Sequence, residues 1–155
     1  MGAKDEAKTI YQANLDVVSQ ALMAEDYGTI RQHLSAPGYL CSIDGAAMIT
    51  DMEDLMASIR NQRRAMHDMS VDTYIRVCRS AAFEDPECLR IVGEHDTFLL
   101  CRGVQVIPPY HNVMSLALKD GVWRGTGLTS NVSLRDLEIL RPDQVNRITE
   151  GAGEH

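Results

Sequence analysis

The residues best suited to chemistry in this sequence are His95, Tyr110 and Asn131, which a simple strand alignment places side by side. They belong to the stretch 88–131, whose alternating pattern and two glycine turns predict three consecutive antiparallel strands. A partly buried imidazole can titrate near neutral pH and serve as a general acid or base. The Tyr110 phenol beside it could donate a hydrogen bond to a ligand carbonyl or a developing oxyanion. His95 and Tyr110 are therefore our candidate catalytic residues.

Other side chains are expected to contact a ligand. Asn112 and Thr129 fall in the next cross-strand row and, with Asn131, could orient a polar substituent, while Tyr39 and Tyr11 could close the mouth from the helical side. The candidate ligand-binding residues are Asn131, Asn112, Thr129, Tyr39, Tyr11, Trp123 and Met114. A plainer interpretation stays open, because a histidine, a tyrosine and an asparagine in one row can satisfy one another's hydrogen bonds, as buried polar groups nearly always do.

Metal and cofactor sites are not expected. Glu94, His95 and Asp96 are adjacent in a predicted strand, so their side chains point to opposite faces and cannot hold one ion. His111 lies across from Glu94 on the outer face, where a surface ion pair is the simpler interpretation. The sequence contains no nucleophile spacing, phosphate-binding glycine loop or dinucleotide fingerprint.

Two turns position these residues. Arg102-Gly103 and Asp120-Gly121 each place a glycine where a two-residue hairpin loop needs a positive φ. Side chains alternate along a strand, so the turns put His95, Tyr110 and every second residue on one face, apolar at one end and polar at the other. Gly125 and Gly127 remove side-chain volume there, which curves the sheet and leaves room for a ligand.

Two strand registers are possible beyond Pro108-Pro109. Neither proline can donate to a ladder, so a bulge is expected there. A one-residue slip would bring His111 into the row in place of Tyr110. We prefer the register with Tyr110 inside, because it makes that face the more consistently apolar one.

The rest of the chain supplies helices to cover the sheet. Periodicity predicts a helix over about 3–24, a short helix capped by Asp26 and stopped at 35–38, and a small hairpin over 39–49. A capping box of Thr50 and Glu53 opens a third helix to about residue 66. A long strand over 69–82 precedes the three strands, the last of which could extend to residue 140. Helices gathered on one side of an antiparallel sheet make an α+β domain.

This order of elements, with MAEDYGTIRQHLS leading into the first strand and DGVWRG opening the last, resembles the NTF2-like (SnoaL-like) superfamily. The resemblance spans roughly 8–140, so we expect one domain over 1–155 with a C-terminal tail at 141–155. It implies a cystatin-like α+β fold, in which N-terminal helices pack on a strongly curved antiparallel sheet to form a cone-shaped pocket.

The superfamily includes steroid isomerases, dehydratases, polyketide cyclases, dioxygenase β-subunits and plain binding proteins. By resemblance, a steroid isomerase's tyrosine, general base and protonated aspartate would fall near Val18, Ser42 and Met114. None of these side chains can play those parts, so that mechanism does not carry over.

Composition bounds the partners. A net charge of −7 argues against nucleic acid, which needs basic patches. No apolar run reaches membrane-spanning length, the start of the sequence is no signal peptide, and the cysteines lack a metal or redox spacing, so we expect a cytoplasmic protein.

The outer sheet face carries Val92, Phe98, Val113 and Leu128, with no helices left to cover it. Contiguous exposed apolar area usually marks an interface, and we expect a homodimer through this face.

Three functions remain open. The first is binding of a small, largely apolar organic molecule in the cone, with cofactor-independent proton transfer of the isomerase, dehydratase or cyclase type if the protein is an enzyme. The second is a non-catalytic ligand-binding or assembly subunit resembling ring-hydroxylating dioxygenase β-subunits. The third is a small intracellular sensor whose ligand closes the helices over the sheet.

Overall fold

The structure is a computed structural model that describes residues 2–42 and 45–131. Its elements in chain order are α1 (Ala3–Met23), α2 (Tyr27–Gln32), β1 (Leu34–Ser42), β2 (Gly45–Ile49), α3 (Met52–Asp68), β3 (Thr73–Phe83), β4 (Arg90–Cys101), β5 (Val104–Gln105), β6 (Tyr110–Lys119) and β7 (Val122–Ser130). The expected strand continuation to residue 140 and the tail at 141–155 lie outside the described residues.

The described strands form one sheet in the order β2-β1-β7-β6-β4-β3, with the short β5 paired to β4. The expected α+β cone architecture is confirmed, with one difference. All strand pairs were expected to be antiparallel, but β1 lies parallel to β7, so the sheet is mixed. A non-sequential pair of this kind has no turn to mark it, which is why the hairpin signals did not reveal it.

The helices begin where side chains can cap them. Asp26 caps α2 as expected, since its carboxylate accepts from the Thr29 N–H at 3.2 Å. Helix α3 is capped by Asp51, which accepts from the Glu53 N–H at 2.7 Å, so the expected capping box of Thr50 and Glu53 is wrong by one residue. The stop expected at 35–38 is also displaced, because β1 already begins at Leu34.

Helix α1 lies against the sheet through a stripe of fully buried side chains. Ala7, Tyr11 and Leu15 recur every four residues, and each is 0% exposed. The Tyr11 ring lies directly over β4 at Gly93, where an added Cβ would be 2.4 Å from the ring carbon Cε2. Glycine is therefore required at this position, because the helix can approach the sheet this closely only where one side chain is missing.

The first hairpin confirms part of the expected register. Cys101 pairs with Val104 across a two-residue loop, as the turn predicted. The connection before β6 then takes up two more residues than the predicted register assumed, so Tyr110 pairs with Thr97 and not with His95. An insertion of two residues preserves the alternation of faces, and Tyr110 still points inward. The alternative with His111 inside is therefore wrong.

The second hairpin departs from expectation further along. Lys119 pairs with Val122 as predicted, but a bulge places Thr126 without a partner between two paired glycines, Gly125 and Gly127. One inserted residue exchanges the two faces of the strand. Leu128, expected outside, consequently packs in the core.

Candidate functional site

His95 lies on the inner face of β4 and is 0% exposed. Its Nδ1 is 2.6 Å from the Tyr11 hydroxyl oxygen, and its Nε2 is 3.2 Å from Nδ2 of Asn112. Burial lowers the pKa of His95 to about 3, with the positive charge of Arg76 acting in the same direction. Burial therefore favours the neutral imidazole at physiological pH, which speaks against the expectation that it titrates near neutrality.

Asn112 links His95 to the interior of the cone. The residue is 4% exposed, and its Nδ2 also donates to Thr97 Oγ1 at 3.0 Å. Its amide oxygen is buried and has no hydrogen-bond partner. A buried acceptor without a partner destabilises the folded state by about 1–3 kcal/mol. A ligand group that donates to the Asn112 oxygen would therefore be bound favourably, and so would a group that accepts from the amide nitrogen if the amide is turned over.

Tyr110 is 5% exposed and lies beside Thr97 on the inner face. Burial raises the pKa of its phenol, so the hydroxyl remains protonated and is available as a donor. Its hydroxyl makes no hydrogen bond with any residue of 2–42 or 45–131. Tyr110 and His95 were expected to be direct cross-strand neighbours, but they occupy successive rows.

Arg76 is a member of the site that the sequence interpretation missed. It is half-buried on β3, opposite Thr97, and its Nε donates to Ser19 Oγ at 2.8 Å while Nη2 donates to the Leu15 carbonyl at 3.2 Å. Its guanidinium carbon lies 5.2 Å from the centre of the Tyr74 ring. The sequence feature that could have revealed Arg76 is the alternation Tyr74, Arg76, Cys78, because the arginine lies between two residues that face inward.

A cavity of about 110 Å³ lies between these groups and the helices. Its wall is mainly aliphatic, formed by side chains that include Val18, Leu22, Ile30, Leu40, Leu55 and Ile59. Its polar lining comprises Asn14, Ser35, Tyr39, Gln62, Tyr74, Arg76, Tyr110, Asn112 and Thr126. His95 does not line the cavity, because Asn112 lies between the imidazole and the cavity. The cone is therefore open to a small molecule and presents a polar patch on one side.

Three of the candidate ligand-binding residues, Met114, Asn112 and Tyr39, line the cavity as expected. Tyr11 does not close the mouth, because it is buried against His95. Trp123 is half-buried beside Phe83, with ring centroids 6.2 Å apart, and it is not among the residues that line the cavity.

Two more candidates lie on the side of the sheet away from the helices. Thr129 and Asn131 are exposed, and the Asn131 amide oxygen accepts from the His111 N–H at 3.0 Å. Their expected inward placement is wrong because the bulge at Thr126 reverses the strand. Tyr39 lines the cavity; its backbone pairs with Gly127, its ring covers that glycine, and its hydroxyl is 3.2 Å from Ser115 Oγ.

The outer face carries a charged cluster in place of a metal site. His111 Nδ1 is 2.9 Å from Asp96 Oδ1, and its Nε2 is 3.6 Å from Glu94 Oε1. Arg79 Nε is 2.7 Å from Asp96. The expected ion pair between His111 and Glu94 is confirmed, although Asp96 is the directly opposite residue. Within the described part of the chain, no group of three or more His, Cys, Asp or Glu could hold a metal ion.

Comparison with known proteins identifies the fold. No protein-family model matches the chain, and no curated protein matches it. Among solved structures, an NTF-2 like protein of unknown function from Shewanella oneidensis MR-1 has a TM-score of 0.60 at 12% identity, covering 77% of this chain and 93% of that chain. A protein of unknown function with a cystatin-like fold from Nostoc punctiforme PCC 73102 has a TM-score of 0.61 at 15% identity, covering 86% and 96%.

A third similar structure is a putative aromatic ring hydroxylase from Novosphingobium aromaticivorans, with a TM-score of 0.56 at 10% identity, covering 88% of this chain and 99% of that chain. The architecture and these similarities define an α+β cone protein. Its fold is NTF2-like, of the cystatin-like type, as the sequence resemblance implied. In residues 2–42 and 45–131, no helix is long and apolar enough to cross a membrane.

Proposed function

We propose that this protein binds a small, largely apolar organic molecule in its cone. The observation that carries the proposal is the cavity of about 110 Å³, with an aliphatic wall and the unpartnered amide oxygen of Asn112 beside it. Engineered cavities of about 150 Å³ bind benzene, so a compact ring or short chain is the matching size. Apolar walls with a few fixed polar groups are the usual composition of small-molecule sites.

Filling the cavity tests this proposal. Val18→Phe adds a ring on the cavity side of α1, whereas Val17→Phe adds the same ring at the neighbouring position, which is 38% exposed. We expect benzyl alcohol and indole to bind wild type and Val17→Phe in ligand-observed NMR, with binding lost in Val18→Phe. Equal binding to all three proteins, or to none, would contradict the proposal.

Cofactor-independent proton transfer is a second proposal, favoured by the Tyr110 phenol at the cavity wall. Tyr110 would donate to a ligand carbonyl while a water molecule takes the α-proton and later returns it, and His95 would act through Asn112 as a positioning residue, because the imidazole does not line the cavity. The low pKa of His95 makes binding without chemistry the better-supported function. Hydrogen–deuterium exchange at the α-carbon of a bound ketone such as cyclohexanone, lost in Tyr110→Phe, would support catalysis, and no exchange above the buffer rate would exclude it for that ketone.

We also propose that the protein acts in the cytoplasm as a homodimer or as a subunit paired through the outer sheet face. Ile75 and Val92 on that face are 42% and 37% exposed, and all four cysteines are free thiols. The resemblance to ring-hydroxylating dioxygenase β-subunits is the reason for the subunit alternative. Multi-angle light scattering at micromolar concentration should give twice the chain mass, and Ile75→Lys should reduce it to one chain. A monomer mass for wild type would overturn the dimer.

A further inference from the structure

The cavity wall carries a single formal charge among the described residues. Arg76 is its one ionised side chain, and no aspartate or glutamate of residues 2–42 or 45–131 lines the space. Its guanidinium hydrogen-bonds only to uncharged acceptors, Ser19 Oγ and the Leu15 carbonyl, and makes no ion pair with a carboxylate in the described part of the chain. A half-buried cation without a counter-ion gains most from an anion that reaches it.

A second donor lies next to this charge. Arg76 and Tyr110 flank Thr97 from the two strands on either side of β4, so both side chains reach the same part of the cavity wall. The Tyr110 hydroxyl is protonated and has no partner among residues 2–42 and 45–131. A charged donor and a neutral donor side by side suit the two oxygens of a carboxylate.

Asn112 can become a third donor without breaking its network. An asparagine amide fits the same space when it is turned by about 180°, which exchanges its oxygen and nitrogen. In that orientation Tyr11 donates to His95 Nδ1, His95 Nε2–H donates to the Asn112 oxygen, and Thr97 donates to the same oxygen. The amide nitrogen then replaces the unpartnered oxygen and can donate to a ligand. Tyr11, His95 and Thr97 keep their hydrogen bonds in this arrangement, and only the Asn112 amide nitrogen is left for the ligand.

We propose, on the basis of the binding function above, that the ligand is a small monocarboxylate with an apolar body. Its carboxylate pairs with the Arg76 guanidinium and accepts from the Tyr110 hydroxyl and the Asn112 amide. Its apolar part lies against the aliphatic wall at Val18, Leu55 and Ile59. The cavity size limits the apolar part to at most about six non-hydrogen atoms, since a cavity of about 150 Å³ holds benzene. The single cation disfavours dicarboxylates, because a second carboxylate would find no partner on this wall.

The test compares acids with neutral amides of the same shape on the wild-type protein. We expect benzoate and hexanoate to bind about 10- to 100-fold more tightly than benzamide and hexanamide in isothermal titration calorimetry, since hydrogen bonds to charged groups are the stronger ones. If the amides bind and the acids do not, or bind no better, the carboxylate inference is overturned while the binding function survives. If neither class binds at millimolar concentration, both are overturned.

Variants test whether the charge of Arg76 is responsible for the preference for acids. Arg76→Gln should remove the preference for the acid, and Arg76→Lys should keep part of it. Arg79→Gln, on the outer face, should leave the preference unchanged. Because Arg76 also joins β3 to α1, circular dichroism must first show that the variants are folded; if Arg76→Gln is not, the wild-type comparison and Arg76→Lys still decide. An acid preference that persists in folded Arg76→Gln would overturn the assignment of Arg76.

Discussion

The hydroxyl of Tyr11 lies 2.6 Å from Nδ1 of His95, across an interface between α1 and β4 that is closed to solvent. This bond joins residues 84 positions apart in the chain and fixes the orientation of the imidazole. Through Asn112 it also determines what the cavity wall offers a ligand. The stability of the core and the polarity of the pocket therefore depend on the same chain of side chains.

Tyr11→Phe removes one partner of a buried polar group and leaves the ring in place. We expect the free energy of unfolding to fall by about 1–3 kcal/mol, because His95 Nδ1 is left unsatisfied. Urea denaturation followed by circular dichroism measures this change. Tyr27→Phe, at a less buried tyrosine that makes no such bond to His95, is the matched control and should change stability by less than about 0.5 kcal/mol. Equal effects of the two substitutions would contradict the importance of the bond.

Gly93→Ala places a methyl group against the Tyr11 ring. The added Cβ would lie 2.4 Å from Cε2, so the helix or the ring must shift, and we expect destabilisation of about 1–3 kcal/mol. Gly28→Ala is a control, because the nearest atom to its added Cβ is 3.8 Å away. Smaller destabilisation by Gly93→Ala in a Tyr11→Ala background would confirm the cause. If the two changes in the free energy of unfolding are additive in the double variant, contact with the Tyr11 ring is not the cause.

His95 should remain neutral under conditions in which an ordinary histidine is charged. Burial lowers its pKa to about 3, so the unfolded state takes up a proton before the folded state does as pH falls from about 6.5. Stability from this residue is therefore complete above about pH 6.5 and declines on acidification towards pH 3. The ¹⁵N chemical shifts of the His95 ring should be constant between pH 5 and 8. A titration midpoint near 6.5 in those shifts would show that the ring is hydrated.

His111 should show the opposite dependence. Its hydrogen bond to Asp96 raises its pKa, so its contribution to stability is fully present below the unfolded pKa of about 6.5 and is lost as pH rises through the folded value. The pKa of Asp96 is lowered, first by its hydrogen bond with His111 and then by its hydrogen bond with Arg79. The contribution of the Asp96 carboxylate to stability is therefore lost on acidification below about pH 4. The urea midpoint of wild type should exceed that of His111→Gln at pH 5.5 and match it at pH 9. A constant difference across that range would exclude the ion pair as its source.

The sequence predicted the parity of β4 and β6 correctly, because the turn at Arg102-Gly103 is local and the two added residues before Tyr110 preserve alternation. It could not predict the bulge at Thr126, since nothing in the glycine spacing of β7 distinguishes an extra residue from a regular strand. The inward faces of Thr129 and Asn131 were wrong for that reason. Arg76 was overlooked because its importance arises from what surrounds it, and a charged residue in a strand pattern normally indicates a solvent-exposed face.

The parallel pairing of β1 with β7 has a consequence for biogenesis. Leu40 and Leu128, neighbours across that pair, both line the cavity, so the pocket cannot be completed until β7 has been synthesised. Contacts so distant in the chain form slowly, because a long loop must be closed before they are made. A chain truncated before β7 would therefore leave the cavity open on the β1 side and lack a complete binding site, even if α1 packed on β3 and β4.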